Sequence, residues 1–335
     1  MKKLSLNFSG LFFFPLLYGI ICTSSVLAET ISPLKSTESR LTPIFEQNAE
    51  TINLTEVLIL ISKDWNPSLD EKPLRDEINQ LVALVKNKLR PESTAQDTVD
   101  ILKQVIHQEK GYRYTDQVDE LGIPINESEL FFHGMLKSKL GYCMNLSLLY
   151  LIIGDQLDLP LYGVALPNHF FIRYDSGDDR INIESTELGA SYPDSFYENR
   201  FGVKFDAKTP FFTQNLNKKQ SLGAYLSNIG MVYHKNTRPQ KAIFYLKPST
   251  KINPLSIEAH NNLANIYGEM KQHELAISQY KKALEANPNS VPTLFNIAQT
   301  YADLSNTEHA IEAFLQVIQL DPFFTQAHRQ LVKIY

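Results

Sequence analysis

The sequence predicts an α+β domain followed by an all-α solenoid. From about residue 53 to residue 157, apolar residues recur at the three- to four-residue spacing of amphipathic helices. Over 161–183 this spacing gives way to short β-branched and aromatic runs, which favour strands. From residue 223 onward the same residue types return every 34 positions, which indicates stacked helical pairs.

Four helices are expected before a fifth that begins at Cys143 and stops at Leu159-Pro160, from their apolar periodicity and their cap residues. A Ser93-x-x-Gln96 capping box predicts the start of the third helix. Asn126 is the expected cap of the fourth helix, which Gly141 would end. The expected bounds are about 53–63, 69–89, 93–106 and 127–139.

The later apolar runs are expected to form a small antiparallel sheet. A two-residue turn before the last run would place His169 opposite Glu184, whereas a four-residue turn would place Phe171 there. In both registers His169 and Glu184 share one face of the sheet, because side chains alternate along a strand. The runs cover 161–166, 169–174 and 180–183.

Residues 1–28 are typical of a signal peptide. Two lysines precede an apolar run over 11–22, and Val-Leu-Ala ends at Ala28 as a cleavage signal. The run is short and contains a proline, which disfavours a membrane span. A retained anchor and a lipoprotein at Cys22 are the alternatives. The protein is therefore expected to be exported, to a bacterial periplasm or beyond the cell.

After the leader, residues 29–43 are rich in Ser, Thr and Pro, and a flexible linker is expected there. About 300 residues remain after cleavage, which implies two domains. The first is expected over 44–215 and the second over 223–335. We expect no stable membrane insertion after the leader is removed.

Charge and composition limit the partners and cofactors. Loss of the leader, with two lysines and no acidic residue, takes the formal net charge from −5 to −7. An acidic chain argues against nucleic acid as a main partner. There is no His-Glu-x-x-His helix, no second thiolate beside Cys143 and no Gly-rich phosphate loop, so no metal and no other cofactor are expected.

The C-terminal third repeats with a fixed period, as Pro254, Pro288 and Pro322 show. Matching Ala, Tyr and Asn residues recur at the same interval, and the pattern resembles tetratricopeptide repeats, each with two antiparallel helices. Lys247-Pro248-Ser249 is expected to interrupt the second helix of the first repeat. The expected units are 223–256, 257–290, 291–324 and a capping helix over 325–335.

The resemblance to these repeats also implies a concave face that binds a protein or an extended peptide. The recurring asparagines at 228, 262 and 296 are interpreted as framework residues. The residues expected on the concave face form a polar groove with one aromatic side chain. They are Glu258, Asn261, Asn265, Phe295 and Gln299.

Cys143 is the feature that points to chemistry. It follows Gly-Tyr at the expected start of a helix, where free N–H groups and the helix dipole favour a thiolate. Downstream, Pro-Asn-His169 offers a base and Asn-Ile-Glu184 offers a carboxylate. A nucleophile, a base and an orienting acid in this order suggest acyl transfer.

These motifs, over about residues 95–200, resemble the transglutaminase-like superfamily of papain-like thiol enzymes. The resemblance implies that Cys143 is the nucleophile, His169 its base and Glu184 the orienting acid, with the Cys143 N–H binding the oxyanion. The sequence departs from the usual pattern, because a Glu replaces Asp and Met144 follows the cysteine. Glu187 is a less well placed acid.

The leading hypothesis is an exported cysteine peptidase, amidase or cross-linking enzyme that acts through a thioester. Either water or an amine would resolve that thioester, and the sequence leaves both open. The alternative is a non-catalytic periplasmic repeat scaffold whose transglutaminase-like domain has kept only the fold.

Overall fold

The computed structural model describes residues 31–117, 125–205 and 212–334. The expected leader, residues 1–28, lies outside these residues. Within the described ranges, no helix is both long enough and apolar enough to cross a bilayer.

In the described ranges six α-helices precede the main sheet, and the expected helices near 53–63 and 69–89 are confirmed. Asn53 caps the first of them, since its side chain accepts a hydrogen bond from the Glu56 N–H. The six are α1 (Ile31–Phe45), α2 (Leu54–Trp65), α3 (Lys72–Lys88), α4 (Ala95–Lys103), α5 (Phe132–Ser138) and α6 (Cys143–Gln156).

The expectation of a flexible linker over 29–43 is wrong from Ile31 onward, because α1 occupies this region. Leu41 and Phe45 lie one helical turn apart and are both buried, and Phe45 contacts the ring of Phe244. Burial of this face stabilises a helix whose Ser and Thr content is otherwise unfavourable.

The expected start of α4 is wrong by one residue. The capping box is formed by Thr94 and Asp97: the Thr94 Oγ1 accepts from the Asp97 N–H, and the Asp97 carboxylate accepts from the Thr94 N–H. Ser93 instead accepts a hydrogen bond from the Arg90 N–H in the preceding turn. A π-helix over Gln104–Glu109 extends α4.

The single helix expected over 127–139 is also wrong. Asn126 caps a 3-10 helix, Glu127–Leu130, and α5 begins only after Phe131. Phe131 has an extended backbone, and its buried ring stacks on Trp65 with centroids 4.6 Å apart. The packing of this ring outweighs the continuity of the helix.

The main sheet has four antiparallel strands in chain order. Asp175 pairs with Arg180, which confirms the four-residue turn between the second and third of them. Helix α6 packs against this sheet. The strands are β3 (Leu161–Leu166), β4 (His169–Asp175), β5 (Arg180–Glu184) and β6 (Ala190–Ser191), while β1 (Arg113–Tyr114) and β2 (Leu140–Gly141) form a separate parallel pair.

Helix α7 (Asp194–Phe201) covers the other face of the sheet, where the Phe171 ring stacks on Tyr197 at 4.0 Å. The repeats follow as antiparallel helix pairs. The expected interruption at Pro248 is wrong, because the helix is continuous through it and Ser249 donates to the Gly223 carbonyl. The helices are α8 (Lys218–Lys235), α9 (Pro239–Ile252), α10 (Ile257–Glu269), α11 (His273–Ala286), α12 (Val291–Asp303), α13 (Thr307–Leu320) and α14 (Thr325–Ile334).

Candidate active site

Cys143 is the first residue of α6, and hydrogen bonds around it fix the backbone at the start of this helix. Tyr142 before it is extended, and its N–H donates to the Asn145 side-chain oxygen at 2.7 Å. The Asn145 amide in turn donates to the Glu129 carbonyl. Gly141 is required here, since a Cβ at this position would lie 2.8 Å from the Met135 side chain. Only 7 % of Cys143 is exposed.

His169 is brought to the site by the hairpin between β3 and β4. Leu166 pairs with His169, so Pro167 and Asn168 are the two turn residues. Asn168 adopts the left-handed conformation, with φ of 55°. Pro followed by such an Asn is the sequence signature of a type II turn, which places the imidazole at the first position of β4.

Glu184 ends β5 on the same face as His169, as the sequence predicts. The His169 Nε2 donates to the Glu184 Oε2 at 2.7 Å, and the carboxylate is almost fully buried. The other carboxylate oxygen accepts from the Thr186 N–H at 3.1 Å and from its hydroxyl at 2.6 Å. The longer side chain of Glu therefore reaches the imidazole and is held in place.

The thiol lies near this pair, because Cys143 is one of the two residues whose hydrogen bonding and charge raise the pKa of His169. Because Nε2 is engaged by Glu184, the ring nitrogen left to serve the thiol is Nδ1. Ser185 ties the two halves of the site together: its hydroxyl donates to the Cys143 carbonyl at 3.4 Å and lies 3.0 Å from the Ser147 hydroxyl. The structure thus brings the three predicted side chains into one cluster.

The electrostatics of this cluster favour a protonated imidazole. Burial lowers the pKa of His169, but the hydrogen bonds and charges of Cys143 and Glu184 outweigh it and raise the pKa to about 9. Burial likewise raises the pKa of Glu184, yet His169 and Thr186 hold it below its usual value. At neutral pH the electrostatics therefore favour an imidazolium bonded to the Glu184 carboxylate.

Three side chains at the site were not anticipated from the sequence. The Phe201 ring lies parallel to the imidazole, with centroids 4.8 Å apart, and Tyr114 packs beside Tyr142. Thr186 could have been found, because a residue two positions after an acidic side chain commonly hydrogen-bonds to it. No local pattern marks Phe201 or Tyr114, which reach the site through the tertiary fold.

Glu187, the other acid considered, does not contact the imidazole. Its carboxylate accepts from the Tyr192 hydroxyl at 2.5 Å and from Arg200 at 2.9 Å. In the part of the chain that is described, no group of three His, Cys, Asp or Glu side chains is arranged to hold a metal ion.

The five residues expected in the groove of the repeats have different environments. The expectation that Phe295 lines the groove is wrong. This residue is 2 % exposed and packs against Phe314 and Phe324, so it belongs to the core. Asn261 donates to Thr293, and Asn265 accepts from Tyr280 and Asn296, so both join neighbouring helices. Gln299 is half-buried, and Glu258 is exposed, with its carboxylate accepting from the Asn168 N–H at 3.3 Å.

The family comparisons agree with the two parts of the fold. Residues 72–222 match the transglutaminase-like superfamily, and residues 257–290 and 291–324 each match a tetratricopeptide repeat. The chain therefore carries a domain of the transglutaminase-like superfamily, followed by tetratricopeptide repeats. No curated protein shows significant similarity to it.

Among solved structures, similarity is found to MamA, with 23 % identity, a TM-score of 0.33 and coverage of 34 % of this chain and 66 % of MamA. The first TPR domain of human RPAP3 shows 22 % identity and a TM-score of 0.33, over 34 % of this chain and 91 % of that domain. The Arabidopsis OM64 TPR domain shows 16 % identity and a TM-score of 0.33, over 34 % of this chain and 95 % of that domain.

Proposed function

We propose that the protein is a thiol-dependent acyl-transfer enzyme, in which Cys143 attacks a carboxamide or peptide carbonyl. The observation that carries this proposal is the 2.7 Å hydrogen bond between His169 and Glu184, beside a thiol that helps to raise the pKa of the imidazole. This arrangement supports the roles of nucleophile for Cys143, base for His169 and orienting acid for Glu184.

In the first half of the reaction, the Cys143 sulfur forms a bond to the carbonyl carbon, and the carbonyl electron pair moves to oxygen. The His169 imidazolium then gives its Nδ1 proton to the departing amine, and the C–N bond breaks to leave a thioester. Glu184 stabilises the imidazolium throughout and keeps the ring in the required orientation.

In the second half, neutral His169 takes a proton from water or from an acceptor amine, which attacks the thioester carbonyl. The C–S bond breaks and the thiolate is restored beside the imidazolium. Water gives a peptidase or an amidase, and an amine gives a cross-linker.

Thiol reactivity tests this proposal. An ordinary thiol is only a few per cent ionised at pH 7, so a thiolate held by an imidazolium should react with iodoacetamide roughly ten times faster or more. His169→Ala should remove this advantage, whereas His328→Ala, an exposed residue of the last helix, should not. Slow labelling of Cys143 that is indifferent to His169 would instead support a non-catalytic scaffold.

We further propose that the repeats bind a protein or peptide and hold it beside this site. The hydrogen bond from the Asn168 N–H to Glu258 supports this arrangement, because it joins the second repeat to the turn that precedes His169. In a binding titration with labelled peptides, Gln299→Ala should weaken the affinity of the full chain. Leu275→Ala, an exposed change on α11, is the matched control.

Export is a separate proposal, supported by the composition of residues 1–28. N-terminal sequencing of the protein recovered from a periplasmic fraction should begin at Glu29. Recovery in the cytoplasm with Met1 retained would contradict it.

A further inference from the structure

Strand β1 brings a third segment of the chain to the candidate active site. It pairs in parallel with β2, so that Tyr114 lies opposite Gly141, and the Thr115 N–H donates to the Gly141 carbonyl at 3.0 Å. Strand β1 also packs against the short helix Ser185–Glu187, which follows the carboxylate of the site. Tyr114 therefore lies between the segment leading to the thiol and the segment following the acid.

The side chain of Tyr114 faces the start of α6. Its ring lies 5.9 Å from the ring of Tyr142, the residue directly before Cys143. The side chain is half-buried, which leaves it partly accessible from the outside. No hydrogen-bond partner for its hydroxyl lies among residues 31–117, 125–205 and 212–334.

The chemistry of the site calls for such a donor. Attack on a carbonyl places negative charge on its oxygen, and this charge needs preorganised N–H or O–H groups. The Cys143 N–H is one, because the first N–H groups of a helix have no partner within the helix. Among the segments that meet at the thiol, β1 adds a hydroxyl.

We propose that the Tyr114 hydroxyl donates the second hydrogen bond to the oxyanion, beside the Cys143 N–H. This inference rests on the proposed acyl-transfer function and names a further catalytic residue for it. Burial and the charge of Cys143 raise the pKa of Tyr114, so the phenol remains protonated over the working pH range.

Two reagents separate this role from that of the nucleophile. Iodoacetamide forms a carbon–sulfur bond as iodide leaves, and no oxyanion develops. With p-nitrophenyl acetate the sulfur adds to the carbonyl, an oxyanion forms, and p-nitrophenolate then leaves with the electron pair to give the acetyl thioester. Only the second reaction needs the proposed donor.

Tyr114→Phe in the full chain should leave the alkylation rate of Cys143 within about twofold of the wild type. Acetylation should slow by roughly 100-fold, as is typical for the loss of one oxyanion donor. Tyr301→Phe, a change at a half-buried tyrosine of α12 in the repeats, is the matched control and should alter neither rate. Thermal unfolding of both variants should match the wild type.

An acetylation rate unaffected by Tyr114→Phe, in a chain whose Cys143 reacts with both reagents, would overturn this inference and leave the proposed function standing. A parallel fall in both rates would also overturn it, since the residue would then act on the thiol or on the fold. A wild-type chain that neither reagent modifies would overturn the proposed function and this inference together.

Discussion

Glu184→Gln tests the electrostatic basis of the site. The amide keeps the shape of the carboxylate but removes its charge, 2.7 Å from the His169 Nε2. A pKa of about 9 for His169, against an ordinary value near 6.5, corresponds to roughly 3 kcal/mol in favour of the imidazolium. Glu184 and Cys143 together supply this free energy and also offset the opposing effect of burial. The loss of Glu184 should therefore remove at least about 1 kcal/mol of the preference for the imidazolium.

We therefore expect the pKa of His169 to fall to about 8 or lower in Glu184→Gln. In the wild type the imidazolium is present below pH 9 and is lost as the pH rises through this value. Its contribution to stability is accordingly complete below about pH 6.5 and disappears through pH 9. In Glu184→Gln, the deprotonation of His169 and the loss of its contribution to stability should both move to lower pH.

The measurement is an NMR titration of the histidine ring signals between pH 5 and 10, with the His169 signal assigned by its absence in His169→Ala. Glu187→Gln is the matched control, because that carboxylate is bonded to Tyr192 and Arg200 and not to the imidazole. An unchanged His169 midpoint in Glu184→Gln would show that the carboxylate does not stabilise the imidazolium.

Two further predictions concern stability. Asp64→Asn should cost about 3 kcal/mol in urea unfolding. The Asp64 carboxylate accepts from Tyr233, Tyr245 and buried Lys241, and in the described part of the chain Lys241 would then keep Glu38, at 3.8 Å, as its acidic partner. Asp155→Asn breaks a more exposed pair with Lys218 and should cost under about 1 kcal/mol; equal effects would contradict the reasoning. Gly134→Ala should lower stability by about 2 kcal/mol or more, since its Cβ would lie 1.9 Å from the Ser128 carbonyl oxygen. Gly268→Ala, with nothing within 4 Å, should be neutral or raise stability by up to about 1 kcal/mol, and a similar loss of melting temperature in both variants would refute the steric argument.

Alternation along strands made the main contacts of the site predictable. Once His169 and Glu184 lie on adjacent antiparallel strands joined by an even-numbered turn, their side chains must share a face. The 34-residue period similarly fixes which residues of the repeats pack together, and the helices of 257–324 fall within the expected units. These features could be predicted because strand alternation is local in sequence and the repeat spacing is strictly periodic.

Features that depend on tertiary contacts could not be predicted in this way. Helix α1 has a linker-like composition and is held by the burial of Leu41 and Phe45. Phe295 occupies a position where a groove residue was expected, but its ring is drawn into the core by Phe314 and Phe324. Neither outcome is visible in the residues adjacent in sequence.

The first helix pair after the expected domain boundary packs directly on the preceding domain. Leu216 pairs with Gly163 on β3, and Tyr225 of α8 donates to the Leu130 carbonyl from a buried position. A side chain at Gly163 would collide with Phe170 and with Ser221 of α8, so the first repeat lies directly on the sheet that carries His169.

The first repeat and the transglutaminase-like domain therefore share one hydrophobic core. Residues 223–335 alone would expose Tyr225 and Tyr233, which are buried in the full chain. Binding by the repeats must for this reason be measured on the full chain. Any movement of α8 on binding would act on β3, and through the hairpin on the strand that presents the imidazole.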